Sequence, residues 1–230
     1  MSIADNLEEV RSTIAEAEEH SGRSPGAVTL VAVSKTWPVE TIEEAVAAGQ
    51  RIFGENKVQE VLAKVPAMQD DLRWHLIGHL QKNKTRKILP LCSLIESVDS
   101  IELARQVDRI AGELELQASV LIQVNVSEDE AKFGFSVDAM CEHWTELLKL
   151  PHLEIRGLMT VPAFDADPEK VRPDFAKLRE LRDSLEEEFG SKLPELSMGM
   201  SHDYPVAIEE GATLVRVGSS IFGQRDYGNK

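Results

Sequence analysis

Cysteine is almost missing from this chain. Cys92 and Cys141 are the only two in 230 residues, far apart and without CxxC spacing, which excludes a disulfide framework and suits a reducing, cytoplasmic setting. Tyrosine is equally scarce, with only Tyr204 and Tyr227. No apolar run approaches the ~20 residues of a membrane span. The opening segment MSIADNLEEVRSTIAEAEEH is acidic and amphipathic, without the basic start and apolar block of a signal peptide. GxSxG, HExxH and Walker-type loops are all absent. Positive charge is in deficit: 25 Lys and Arg stand against 40 Asp and Glu, for a net charge of -15. Such a field repels phosphate backbones and argues against general nucleic-acid binding. One basic run, KNKTRK at 82–87, goes against the trend. It reads as the solvated first turns of a helix rather than as an anion-facing patch.

What is present is a rhythm. Hydrophobic residues make up 42% of the chain, and they fall into short β-rich runs that alternate with longer helical patterns. The runs predict strands at 28–34, 51–54, 74–77, 94–98, 119–125, 154–159, 195–199 and 213–217. Several are continuously apolar, as parallel strands buried on both faces should be. Ile3, Leu7, Val10, Ile14 and Ala17 form one stripe of a helix before the first strand. The first crossover helix is expected to have Pro38 in its opening turn and to close at Gly49, with Ile42, Ala45 and Val46 on one face. Before the last strand, Ala207 and Ile208 face inward and Gly211 ends the helix. The clearest helix is 175–190, with Leu178, Leu181, Leu185 and Phe189 aligned. The stretch 161–174 reads as an irregular surface loop. Eight strands in this alternation, after one helix, predict a single (β/α)8 TIM barrel of α/β class; a doubly wound open sheet is the alternative. The expected organisation is one domain, 1–230, made of an N-terminal helix (1–27), the barrel (28–223) and a tail (224–230).

Barrel sites lie at the C-terminal ends of the strands, so the residues that close the apolar runs carry information: Lys35, Asn56, His79, Asn125, Thr160, Ser201 and Gly218. In VRVGSSIFGQR (215–225), Gly218, Ser219 and Ser220 follow the last strand with small residues that let backbone amides approach an anion. MGMSHD (198–203) offers Gly199 and Ser201 beside them, and the loops after strands seven and eight commonly build a barrel's phosphate site. Lys35 ends strand one, the neighbour of strand eight in a closed barrel. Alone it reads as a surface charge. Beside a phosphate cradle, a desolvated amine describes a site for pyridoxal 5'-phosphate (PLP). Arg216, two residues before Gly218, shares its side of the sheet. It is either half of a buried ion pair or the partner of the cofactor's pyridine nitrogen, where an arginine discourages protonation and damps carbanion chemistry. His75 and His79 have i, i+4 spacing, but a strand running into a loop does not present it as a helix would, so a core histidine and a mouth-lining one are expected and no metal site. His202 and Asp203 read as a helix cap rather than an acid/base pair. Lys132 is either a mouth lysine or a solvent-facing one.

Taken together, VAVSKTWP, FGENKVQE, WHLIGHLQKNK, VNVSEDEAKFGF, GLMTVP and LSMGMSHDYPVAIEEGATLVRVGSSIFG resemble the YggS/PROSC family of PLP-binding homeostasis proteins. The likeness runs from about Val28 to Gly223, with Pro205 the one less usual residue. It implies a fold-type III PLP barrel related to the N-terminal domain of alanine racemase. In it Lys35 holds PLP as a Schiff base, and Arg216 approaches the ring nitrogen. Ser201, Gly218 and Ser219 bind the phosphate, Asn56 and Met159 line the pocket, and His79 lies near its mouth. The family is associated with PLP (vitamin B6) and amino-acid balance rather than robust turnover, which makes PLP-dependent apoenzymes an expected class of partner.

A two-base racemase needs a second acid/base opposite the lysine, commonly a tyrosine from a separate β-domain. Strand eight closes near Val217 and the sequence ends at Lys230, so a non-enzymatic holder of PLP is expected, and since no exposed apolar heptad run asks for a partner, a monomer. The alternative is an amino-acid racemase or decarboxylase working on the barrel alone.

Overall fold

A computed structural model of the chain describes residues 2–129 and 132–224; Tyr227 and all but the first residue of the predicted tail lie outside them. Helix α1 (Ile3–His20) starts with a reciprocal cap. The Ser2 side chain accepts from the Asp5 amide and the Asp5 carboxylate accepts from the Ser2 amide, which satisfies two donors that a helix start leaves open. Its predicted stripe is buried at Leu7, Val10, Ile14 and Ala17.

The eight strands are β1 (Thr29–Val33), β2 (Ile52–Glu55), β3 (Arg73–Leu76), β4 (Leu94–Val98), β5 (Ala118–Gln123), β6 (Leu153–Met159), β7 (Glu195–Met200) and β8 (Leu214–Val217). Each pairs in parallel with the next, and β8 returns to β1 to close the barrel. Every predicted strand is found, its limits within two residues of those observed. Strand residues alternate between two environments, as the period of two requires. Leu30, Ala32, Phe53, Trp74, Leu76, Val215 and Val217 join the outer core under the helices, whereas Val31, Leu94, Leu121, Met159 and Leu214 form a separate cluster in the bore. The rest of the bore is polar and still buried: His75, Glu96, Gln123, Ser197 and Arg216.

Helices α2 (Val39–Ala47), α3 (Val58–Lys64), α4 (Thr85–Ile88), α5 (Ile101–Glu113), α6 (Val137–Leu147), α7 (Arg172–Phe189), α8 (Tyr204–Glu209) and the short α9 (Ser219–Phe222) complete the outer ring. The basic run forms a 3-10 turn, Lys82–Lys84, leading into α4. Pro38 is the cap residue of α2 rather than part of its first turn. The stretch 161–174 departs from expectation. A 3-10 turn occupies Pro168–Val171 and α7 begins at Arg172, because Val171 is buried and Pro173 suits a first helical turn. Among the described residues, no helix is long and apolar enough to cross a membrane.

Candidate functional site

At the C-terminal ends of the strands lies a cavity of about 590 Å³ lined by Lys35, Asn56, Ser201, Arg216, Gly218 and Ser219. Barrel closure accounts for this convergence. Thr29 sits opposite Leu214 and Val31 opposite Arg216. Gly218 lies two residues beyond Arg216 on the same side of the sheet, and Lys35 lies in the turn just past the end of β1, lining the same cavity.

Arg216 is only 3% exposed. Its guanidinium donates to Ser197 Oγ and, at 2.7 Å, to the Thr160 carbonyl, with Glu96 Oε2 at 3.7 Å. Glu96 in turn accepts from Ser197 Oγ at 2.5 Å and from His75 Nδ1 at 2.6 Å. Burial opposes its charge, yet the His75 bond, Arg216 and Ser197 together hold Glu96 below the usual carboxylate range. Burial pulls Arg216 below its ordinary value, against Glu96 and Asp203. Arg216 is therefore half of a buried ion pair and also lines the cavity. His75 is the buried core histidine expected of it.

The two turns after β7 and β8 are tied together. The Gly218 amide donates to Ser201 Oγ at 3.1 Å, and Ser220 Oγ donates to the Ser201 carbonyl at 3.4 Å. A Cβ on Gly218 would stand 3.2 Å from the Val33 carbonyl, so a side chain here would press on the end of β1. The amides of Ser219 and Ser220 begin a turn, where N–H groups have no intrahelical acceptor. Asn56 is set by a close backbone approach, since a Cβ on Gly78 would lie 2.2 Å from the Asn56 carbonyl.

His79 and Met159 are not among the lining residues. His79 sits at the rim, its Nδ1 donating to Asp99 at 2.7 Å and its ring stacked on the exposed Phe133. Met159 is fully buried in the apolar cluster of the bore. Asn125 binds the Asp129 carbonyl of its own loop, and Thr160 serves the site through its backbone. Lys132 Nζ donates to the Val161 carbonyl at 3.0 Å, tying the loop after β5 to that after β6. Asp203 is the N-cap residue of α8, as expected, but its side chain makes no capping bond; its carboxylate accepts from the Met200 amide at 2.6 Å. Burial raises its pKa. His202 Nε2 lies 2.9 Å from the Ala166 carbonyl, and its ring leans on Phe164. Sequence reasoning missed Trp37, Ile77, Val161 and Phe164, which also line the cavity. Each follows a strand by a few residues, but an apolar residue in that place carries no chemical signature.

A closed parallel barrel with a lysine, a buried arginine and a paired glycine-serine turn at its mouth defines a class, the barrels of the alanine racemase N-terminal type. The family model "Alanine racemase, N-terminal domain" matches residues 6–226. Within that class, the chain belongs to the family of pyridoxal phosphate homeostasis proteins. It is 45% identical to the Aquifex aeolicus member over 228 residues, covering 99% of this chain and 100% of that protein. Identity to the Escherichia coli member is 40% over 238 residues, covering 99% of each. PipY of Synechococcus elongatus, solved with PLP bound, is 40% identical with a TM-score of 0.87, covering 96% of this chain and all of that one. An alanine racemase of Clostridium difficile is 16% identical with a TM-score of 0.75 over 97% of this chain and 58% of its own; that likeness is one of fold.

Proposed function

We propose that this protein binds pyridoxal 5'-phosphate at the barrel mouth, anchored on Lys35, and takes part in PLP and amino-acid balance as a holder rather than a catalyst. The observation that carries this is the convergence of Lys35, Arg216 and the Ser201–Gly218 turn on one cavity. The residues fit the group. The cradle offers amides and hydroxyls where a side chain at Gly218 would crowd β1, and a cation stands in the bore. Family membership supports the same reading.

When bound, PLP supplies an aldehyde that an amine can attach to and a ring that can accept electron density. Lys35 provides the amine. Ser201, Gly218 and Ser219 hold the phosphate, and Asn56 borders the ring. Arg216 faces the ring nitrogen with its orientation fixed by Ser197, Thr160 and Glu96. A guanidinium stays protonated and acts only as a hydrogen-bond donor, so beside that nitrogen it would leave it without a proton and the ring would be a weak electron sink. Among the described residues no tyrosine lines the cavity. Tyr204 is buried and is not among the residues that line the cavity. His202 and Asp203 do line the cavity, each engaged with a backbone group, His202 with the Ala166 carbonyl and Asp203 with the Met200 amide. His79 serves the rim and Met159 the apolar packing of the bore.

The test is spectroscopic. The protein loaded with PLP should be yellow, and after borohydride the label should map to Lys35. Lys35→Ala should lose both colour and label. A wild type that stays colourless with PLP would overturn the reading. Incubation with amino acids in deuterated water should give no protein-dependent α-deuteration; exchange at a useful rate would make the protein an enzyme.

A further inference from the structure

The turn that carries Lys35 is held from outside the barrel by charges that the cavity does not contain. Ser34 to Trp37 form a turn closed by the Trp37 amide on the Ser34 carbonyl at 3.0 Å. Lys35 and Thr36 are its two central residues, and Thr36 has φ +69°. A β-branched residue in the left-handed region is strained, and such strain persists only where the surroundings impose it. Thr36 is an exposed residue, so packing does not impose it.

A buried ionic cluster does. Lys64, the last residue of α3, has a side chain only 9% exposed. Its ammonium makes three bonds: to the Ser34 carbonyl at 2.9 Å, to Glu55 Oε1 at 2.7 Å and to Glu60 Oε2 at 2.7 Å. That uses its three protons. Ser34 Oγ donates to the same Glu55 oxygen at 2.7 Å. On the far side of the turn, Glu60 Oε2 accepts from the Thr36 amide at 2.5 Å. The residues on either side of Lys35 are therefore both gripped, one by its carbonyl and one by its amide, and Lys64 links the two grips. The arrangement has a cost: Glu55 Oε2 is buried with no hydrogen-bond partner.

We propose that Lys64, acting with Glu55 and Glu60, is a positioning residue that clamps the Ser34–Trp37 turn in its strained form and so aims the Lys35 amine at the cofactor. This inference rests on the reading of Lys35 as the attachment point for PLP. Lys64 itself touches neither cavity nor cofactor; it acts through the backbone at Ser34 and Thr36.

The test compares wild type, Lys64→Met and the double variant Lys64→Met/Thr36→Gly, each loaded with PLP. Two quantities are read, the rate at which colour is lost to a PLP-trapping amine and the melting temperature. Strain of this kind corresponds to roughly a tenfold effect, so Lys64→Met should release PLP about tenfold faster, with borohydride still labelling Lys35. Glycine takes a positive φ without a Cβ penalty, so adding Thr36→Gly should recover most of the lost retention while the melting temperature stays low. Wild-type retention in folded Lys64→Met would overturn the proposal, and so would failure of Thr36→Gly to rescue it. Should Lys64→Met not fold, Glu60→Gln, with and without Thr36→Gly, carries the same comparison. A wild type that is never labelled at Lys35 removes the underlying reading, an outcome distinct from a labelled wild type that Lys64→Met leaves unchanged.

Discussion

Two buried ionic clusters flank the mouth on opposite sides of the same sheet, and they are built differently. Inside the bore, His75, Glu96, Ser197 and Arg216 form a chain in which both carboxylate oxygens of Glu96 are bonded. Outside, between β2 and α3, Glu55, Glu60 and Lys64 surround the Ser34 carbonyl, and one oxygen of Glu55 has no partner. The inner cluster aims a cation from the bore; the outer one aims a backbone turn. Their electrostatics differ in sign as well. Burial works against both glutamates, but the bonds at Glu96 overcome it and lower its pKa, whereas those at Glu55 do not and its pKa is raised. Satisfaction by hydrogen bonds decides whether a buried carboxylate prefers its charge.

The largest difference should appear when each carboxylate is removed. Glu96→Ala strands the Arg216 charge in the bore, and breaking a buried pair by one partner costs about 3–5 kcal/mol. Glu55→Gln keeps an oxygen for Ser34 and Lys64 and leaves Lys64 its Glu60 partner, so a loss on the order of 1 kcal/mol is expected. Urea unfolding of both variants measures the gap. Equal losses would mean that the two clusters are energetically equivalent, against the geometry.

A subtler separation lies in acid. Glu96 has a folded pKa below its unfolded one, so its contribution is present above roughly pH 4.3 and is lost as pH falls through the lower folded value. Glu55 has a raised folded pKa. The folded state takes up that proton first, and the contribution grows as pH falls through the folded value. Replacing Glu96 with Gln should therefore flatten the fall in melting temperature from pH 6 toward pH 3.5, and Glu55→Gln should steepen it. Parallel curves for the two variants would contradict the opposite directions.

The same contrast explains what could be read from the chain alone. The strands and the barrel were legible because runs such as LVAV and VLIQV are buried on both faces, and the strand ends then pointed to Lys35 and Gly218. Arg216 was legible as a choice but not as an answer, since Glu96 and Ser197 come together across 101 residues of sequence and nothing local marks the pair. The outer cluster was invisible for another reason. Glu60 and Lys64 look like an ordinary solvated i, i+4 pair on α3, and only the pairing of Ala32 with Phe53 and Val33 with Gly54 sets Ser34 beside Glu55. The start of α7 was hidden by the polar, proline-containing stretch ahead of it, which reads as loop until Val171 is seen to be buried.

The smallest expected effect concerns the two cysteines, of which Cys92 reports on the outer cluster. Burial pushes the Cys92 thiol up to about 12, and the nearby Glu55 carboxylate adds to the rise. Cys141 is exposed on α6. Because the thiolate is the reactive form, iodoacetamide at pH 8 should modify Cys141 and spare Cys92 in the folded protein. Glu55→Gln removes the smaller of the two causes and leaves the burial, so Cys92 should react only slightly faster, by less than about tenfold. Peptide mass mapping over a time course reads both rates. Rapid labelling of Cys92 in the wild type would mean that this region opens readily, and the outer cluster could not then hold the Lys35 turn as a fixed clamp.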